Sequence, residues 1–244
     1  MFLKWRIRQM KSDIVIVGCG GTGSHYIKEL GRYLYGNRCL RNDEIRIVLV
    51  DGDQVEDKNL VRQAFLPQDI GYNKAQVMAE MLSQAYGLSV DYYDGYIDCE
   101  KDIEKLVRDN SLVFLVGCVD NHQCRQSMHS FYMNREHCIY MDSANEYQSG
   151  EIVIGSRIGG MEMYPDRASY FPDVLQEGAV KRSEESCEVL NQAEPQHLLT
   201  NQFAALILLA NTIKFLSDDW PGGIVFFDAF KCYSMDRTPR EEAS

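Results

Sequence analysis

The tightest constraint in this 244-residue chain is an apolar run that ends in glycines. Asp13-Ile-Val-Ile-Val-Gly18 is continuously hydrophobic, without the alternation of a half-exposed strand. It therefore reads as a strand covered on both faces. Gly18-Cys-Gly20-Gly21-Thr-Gly23-Ser24 follows it. A helical pattern then runs over 22–35, with Tyr26, Leu30, Tyr33 and Leu34 on one side. Strand, Gly-x-Gly-x-x-Gly and helix in that order set backbone N–H groups and the positive end of a helix dipole against a phosphate. Gly18, Gly20, Gly21 and Gly23 are thus candidate nucleotide contacts. The loop alone does not say which nucleotide, and a ligand-free turn could carry the same residues.

The pattern repeats downstream. Buried-strand runs stand at 46–51, 112–117, 138–142 and 151–155, with a further strand at 89–93. Helical spacing is read over 74–86, 102–109 and 121–134. Alternating strands and helices imply a Rossmann-like α/β fold, a mainly parallel sheet with helices on both faces. The character changes near Gly159. From 164 to 195 the chain is polar, with Pro165, Pro172 and the run Lys181-Arg-Ser-Glu-Glu185, and reads as a long crossover loop. A helix at 196–215, apolar almost all round, and a strand at 222–228 follow. One domain is expected over 1–244: a nucleotide-binding core at 12–158, the crossover loop at 159–195, and a C-terminal helix with antiparallel strands at 196–244.

The formal net charge of −11 argues against nucleic acid or anionic membrane as a general partner, because phosphates would be repelled. The start of the chain lacks the apolar core of a secretory signal, and Phe203–Ala210 is too short an apolar stretch to span a bilayer. A cytoplasmic protein is expected. The eight cysteines include no Cys-x-x-Cys pair, the pattern of reduced thiols rather than of a zinc knuckle. The five histidines show no metal spacing.

Asp51 ends the second buried strand, where a carboxylate can accept ribose hydroxyls. To this point a dehydrogenase and an ATP-using enzyme fit equally. The next segment separates them. Asp51-Gly-Asp53-x-Val55-Glu56-x-x-Asn59-Leu60-x-Arg62-Gln63 precedes Asp69-Ile-Gly71-x-x-Lys74-Ala75, and Asp120-Asn121-x-x-x-Arg125 follows the third apolar strand. These segments resemble the signature of the ThiF/MoeB/HesA family and the ubiquitin-activating enzymes, and they span Gly18 to Arg125. The resemblance is greatest to the smaller ThiF-like proteins of bacterial operons.

That resemblance implies an adenylyltransferase that uses ATP and Mg²⁺. Residue by residue it implies ribose binding by Asp51, phosphate contacts by Asn59, Arg62 and Lys74, and magnesium binding by Asp120. Gln63, Asp53 and Asn121 are expected beside the nucleotide. The chemistry suits those residue types: cations neutralise the triphosphate, and a hard carboxylate oxygen suits a hydrated magnesium ion. The implied substrate is the C-terminal carboxylate of a ubiquitin-like protein, with a conjugating enzyme as a further partner and a homodimer as the assembly. Cys187, in Glu184-Glu-Ser-Cys-Glu188, is the candidate acceptor thiol, with a structural or helix-capping role as the alternative. Many relatives hold zinc with paired Cys-x-x-Cys motifs; lacking them, this chain is expected to bind no zinc. Other open readings are adenylation of a small molecule, peptide or tRNA, and a non-catalytic partner subunit.

Overall fold

Five parallel strands set the site. Strand β1 (Ser12–Val17) lies between β2 (Ile45–Val50) and β4 (Leu112–Gly117), with β3 (Val90–Tyr93) beyond β2 and β5 (Cys138–Asn145) beyond β4. The register aligns Val17 with both Val50 and Gly117, so the strands end level. The computed structural model describes residues 10–37, 45–176, 196–217, 219–220 and 222–237. The sheet continues antiparallel through β6 (Ser149–Ile158), β8 (Gly223–Asp228) and β9 (Tyr233–Asp236), and β7 (Met161–Tyr164) pairs with the far end of β6.

Successive residues of each strand serve opposite faces. Ile14, Ile16, Leu49, Phe114 and Val116 pack with helices α1 (Gly21–Gly36), α2 (Lys74–Tyr86) and α6 (Leu198–Leu216). Val15, Val17, Val48, Val113 and Leu115 pack with α3 (Glu100–Glu104) and α4 (His122–Asn134). Covering on both faces is why the parallel strands read as unbroken apolar runs. Helix α5 (Arg167–Tyr170) lies against β6.

Several expectations are corrected. The helix expected over 102–109 is the short α3, because the chain turns back to serve Asp13. That fully buried carboxylate accepts the backbone N–H of Arg108 at 2.7 Å, Arg108 Nε at 2.7 Å and Ser111 Oγ at 2.6 Å. The crossover loop does not begin at 159. Gly159 and Gly160, both at positive φ, turn the chain into β7, and α5 and a 3₁₀ turn (Pro172–Leu175) follow. Strand β9 gave no sequence signal: Tyr-Ser-Met-Asp is short and mostly exposed.

Helix α6 is long and apolar enough, by length and composition, to cross a membrane, and the short apolar run 203–210 read from the sequence is only part of it. It packs instead as a core helix along one stripe. Thr200, Asn201, Ala204, Ala205, Leu208, Asn211, Thr212 and Phe215 are buried. Leu206 on the opposite side is 56% exposed, so the helix is not buried all round. The Thr212 hydroxyl donates to Leu208 O at 2.9 Å and accepts from Tyr26 of α1 at 2.8 Å, which fixes the helix pair in register.

Candidate active site

The strand order reverses direction at β1: the chain passes to β2 on one side and to β4 on the other. A crevice opens at such a switch point, beyond the carboxyl ends of the strands. Here it is a cleft of about 990 Å³. Gly18, Gly20, Gly21, Asp51, Asp53, Asn59, Arg62, Gln63, Lys74, Asp120 and Asn121 all line it. Residues up to 103 positions apart in the chain therefore meet around one space.

The glycine loop forms the floor. Gly18 has φ +91°, and a Cβ there would lie 2.5 Å from the carbonyl oxygen of Cys118. Its N–H donates to Val50 O at 2.8 Å. Only glycine lets this turn pass so close to the end of β4. Gly23 does not line the cleft: it lies in the first turn of α1 against the Gly18 carbonyl, so its place is packing rather than ligand contact.

Asp51 ties the floor to the end of β2. One carboxylate oxygen accepts the Cys19 N–H at 2.6 Å and the other accepts the Asp53 N–H at 2.9 Å. Each oxygen keeps lone-pair capacity for an incoming hydroxyl. Burial raises the Asp51 carboxyl above its usual range; Lys74 opposes the shift and Asp53 adds to it. Lys74, with its side chain 7% exposed, donates from Nζ to Asp53 at 3.0 Å. The other Asp53 oxygen accepts the Tyr96 hydroxyl at 2.7 Å. Asn73 caps α2 through its oxygen, and its amide donates to the carbonyls of Asp51 and Asp53 and to Asp94.

The segment 56–63 forms the wall facing the loop. Asn59 is buried, and its oxygen accepts the Glu56 N–H at 2.9 Å, which leaves its amide nitrogen as the donor available to a ligand. The Arg62 carbonyl accepts from His25 at 3.1 Å, but the Arg62 guanidinium pairs with no carboxylate among the described residues. Gln63 is buried beside Gly20, and its Oε1 has no hydrogen-bond partner. A buried acceptor without a partner is costly in a finished core and expected where a ligand completes the site.

Across the floor, Asp120 follows β4 and Asn121 caps α4, accepting the Cys124 N–H at 2.8 Å. The end of β5 and the turn after it add Ser143, Asn145 and Tyr147. Asn145 donates to the Thr22 hydroxyl at 2.7 Å and to Asn201 of α6 at 3.3 Å. These groups, with Tyr96, were not read from the sequence. Asn73, an N-capping type just ahead of the 74–86 pattern, could have been; Asn145 and Tyr147 reach the cleft only through sheet order and carry no local signal.

The thiols near the cleft are poor nucleophiles. Burial raises Cys19 and Cys118, and raises Cys124 to about 12. Cys187 lies outside the described residues. Nor do the described residues gather three or more His, Cys, Asp or Glu side chains able to hold a metal ion.

A glycine loop at the switch point of a doubly wound sheet, with a carboxylate at the next strand end and cations opposite, defines a nucleotide-binding α/β protein. The ThiF family profile matches residues 6–241, and the chain belongs to the ThiF family. It is 25% identical to ubiquitin-like modifier-activating enzyme 5 of Caenorhabditis elegans, over 86% of this chain and 48% of that protein. The enzyme of the same name from Dictyostelium discoideum is 29% identical over 48% of this chain and 31% of its own length. The chain thus spans half or less of these curated relatives. Among solved structures, E. coli MccB with MccA-N7isoASN superposes with a TM-score of 0.67 at 18% identity, covering 97% of this chain and 66% of MccB. PaaA gives 0.65 at 16% identity, covering 96% and 65%. Both share the fold.

Proposed function

We propose that this chain adenylates a carboxylate: a carboxylate oxygen attacks the α-phosphorus of ATP, the bond to the bridging oxygen of the β-phosphate breaks, and pyrophosphate leaves. The observation that carries the reading is the Arg62 guanidinium, unpaired among the described residues, in the same cleft as the glycine loop and Asp120. A phosphate-binding floor, an uncommitted cation and a hard carboxylate match a triphosphate better than a nicotinamide. E. coli MccB, of the same fold, has been seen with ATP.

The roles follow from position. Backbone N–H groups at the start of α1 meet phosphate oxygens. Asp51 accepts ribose hydroxyls. Arg62, with the Asn59 amide, neutralises and orients the phosphates, and Lys74 adds positive charge held in place by Asp53. Such fixed charges need no reorganisation as charge shifts toward pyrophosphate. Asp120 would hold magnesium, a hard, strongly hydrated ion that needs one or two carboxylates rather than a protein cage. When bound, that ion supplies charge neutralisation on the phosphates.

The carboxylate proposed is the C-terminus of a ubiquitin-like protein, supported by the names of the curated relatives. The second reading is a peptide or other carboxylate, supported by MccB structures that contain MccA. Pyrophosphate exchange with the full-length protein and each candidate substrate tests both. Exchange that depends on the ubiquitin-like protein and is lost in Asp120→Ala is the expected result. Folded, ATP-binding protein that exchanges with no carboxylate substrate refutes the activity, and a thermal shift with NAD but not ATP refutes the nucleotide. Cys187 is proposed as acceptor thiol; a thiol-sensitive adduct that survives Cys187→Ala excludes it.

A further inference from the structure

Arg125 closes the sequence signature, yet no role has been given to it. It lies in the first turn of α4, lines the cleft and is 8% exposed. Its Nε donates to Asp142, at 3.1 Å to one oxygen and 3.4 Å to the other. Its Nη2 donates to the carbonyl of Val119 at 2.8 Å and to the carbonyl of Ser143 at 3.1 Å. One guanidinium therefore joins the β4–α4 loop to the end of β5.

The anchor beneath it is equally specific. Asp142, 1% exposed, also pairs with Arg167 of α5, and Arg167 reaches Glu151 of β6 at 2.8 Å. Two guanidinium groups and two carboxylates leave no net charge in this buried cluster. Burial of charge is tolerable only when it is paired and hydrogen-bonded in this way. Arg125 is consequently fixed, and what it fixes is Val119, the residue before Asp120. On the other side Asn121 is held by its cap on α4. Asp120 stands between these two pinned neighbours.

We infer that Arg125 is the positioning residue for Asp120: it holds the Val119 carbonyl so that the Asp120 carboxylate faces the phosphates, and Asp142 with Arg167 holds Arg125. The inference rests on the proposed reading that Asp120 serves the magnesium–nucleotide complex. A lysine keeps the charge of Arg125 but offers its donors from a single nitrogen, and so cannot reproduce the planar fork whose Nε meets Asp142 while Nη2 meets the two carbonyls. Arg125→Lys therefore separates charge from geometry.

The test is ATP binding by calorimetry on the full-length protein across a range of free Mg²⁺, with Mn²⁺ resonance spectra of the bound complex as a second readout. Arg125→Lys should raise the Mg²⁺ needed for half-saturation about tenfold or more, as outer partners of metal ligands do. Its magnesium-free ATP affinity should stay near wild type. Asp120→Asn should give the same signature, and the double variant should be no worse than Asp120→Asn alone, since the two act through one carboxylate. Unchanged magnesium dependence in folded Arg125→Lys, with Asp120→Asn impaired, overturns the inference and leaves the adenylation reading standing; so do additive effects in the double variant. Unchanged dependence in Asp120→Asn overturns the reading of Asp120 itself, and the inference with it. If Arg125→Lys does not fold, Arg167→Lys perturbs the same anchor from outside the cleft: a smaller shift of the same sign supports the inference, and none refutes it.

Discussion

The two cations of the cleft should respond differently to removal, because one has an internal partner and the other has none. Arg62→Ala deletes a guanidinium paired with no carboxylate among the described residues, while the Arg62 carbonyl still accepts from His25. Its stability change should stay within about 0.5 kcal/mol, as for surface substitutions that break no contact. At roughly 2–4 °C per kcal/mol for a domain of this size, Tm moves by less than about 2 °C. Lys74→Ala removes a side chain only 7% exposed and leaves Asp53 without its 3.0 Å ion pair. Losing a charged hydrogen bond and stranding its partner costs about 1–3 kcal/mol, or roughly 2–12 °C in Tm. Substrate-dependent pyrophosphate exchange should fall about 10²–10³-fold in both, the range for removing a preorganised donor. Calorimetric melting alongside isotope exchange reads both quantities. If Arg62→Ala melts as low as Lys74→Ala, the guanidinium has a structural role and the phosphate assignment fails. The pH profile adds a check. Asp51 is raised, so its ionised form is disfavoured in the folded state: the cost is absent below its unfolded value and complete above its folded one. Lys74 lowers that cost, and the Lys74→Ala deficit should shrink as pH falls through the carboxylate range.

Further outcomes follow from other contacts. Gly18→Ala forces an L-residue to φ +91° and sets a Cβ 2.5 Å from the Cys118 carbonyl oxygen. A loss of about 3 kcal/mol or more, seen as a lower denaturation midpoint, is expected for strain of this kind; an unchanged midpoint would contradict the loop geometry. His129 Nδ1 meets the buried Asp166 carboxylate at 2.6 Å, and this hydrogen bond raises the imidazole above its ordinary value, with Glu162 adding to the effect. That stabilisation is full below about pH 6.5 and is lost as pH rises through the raised folded value. His129→Gln should therefore melt well below wild type in mild acid, with the gap closing in alkali; a gap independent of pH removes the charged pair from the explanation.

The parallel half of the sheet and most of the cleft were legible in the linear chain. Unbroken apolar runs mark strands covered on both faces, and a glycine loop between a strand and a helix has few uses. Asp51 was legible as a carboxylate at a strand end, and Asn59, Arg62, Lys74 and Asp120 through the resemblance of their segments to a family signature; all five line the cleft. The antiparallel half was harder. Strands β7 and β9 are short and exposed, so burial wrote no pattern into them, and Asp13 ended α3 early through contacts 95 and 98 residues away. The meeting of Asn145 and Asn201 with Thr22 beneath the glycine loop comes from the folded chain, because sheet order and helix packing, not local sequence, bring them there. The fold also decided which charges are spent and which are open. Lys74 is held by Asp53 and Arg125 by Asp142, while the Arg62 guanidinium faces the cleft without a carboxylate among the described residues. A sequence gives the charge of a side chain, but its availability depends on which neighbours the fold brings within about 3 Å.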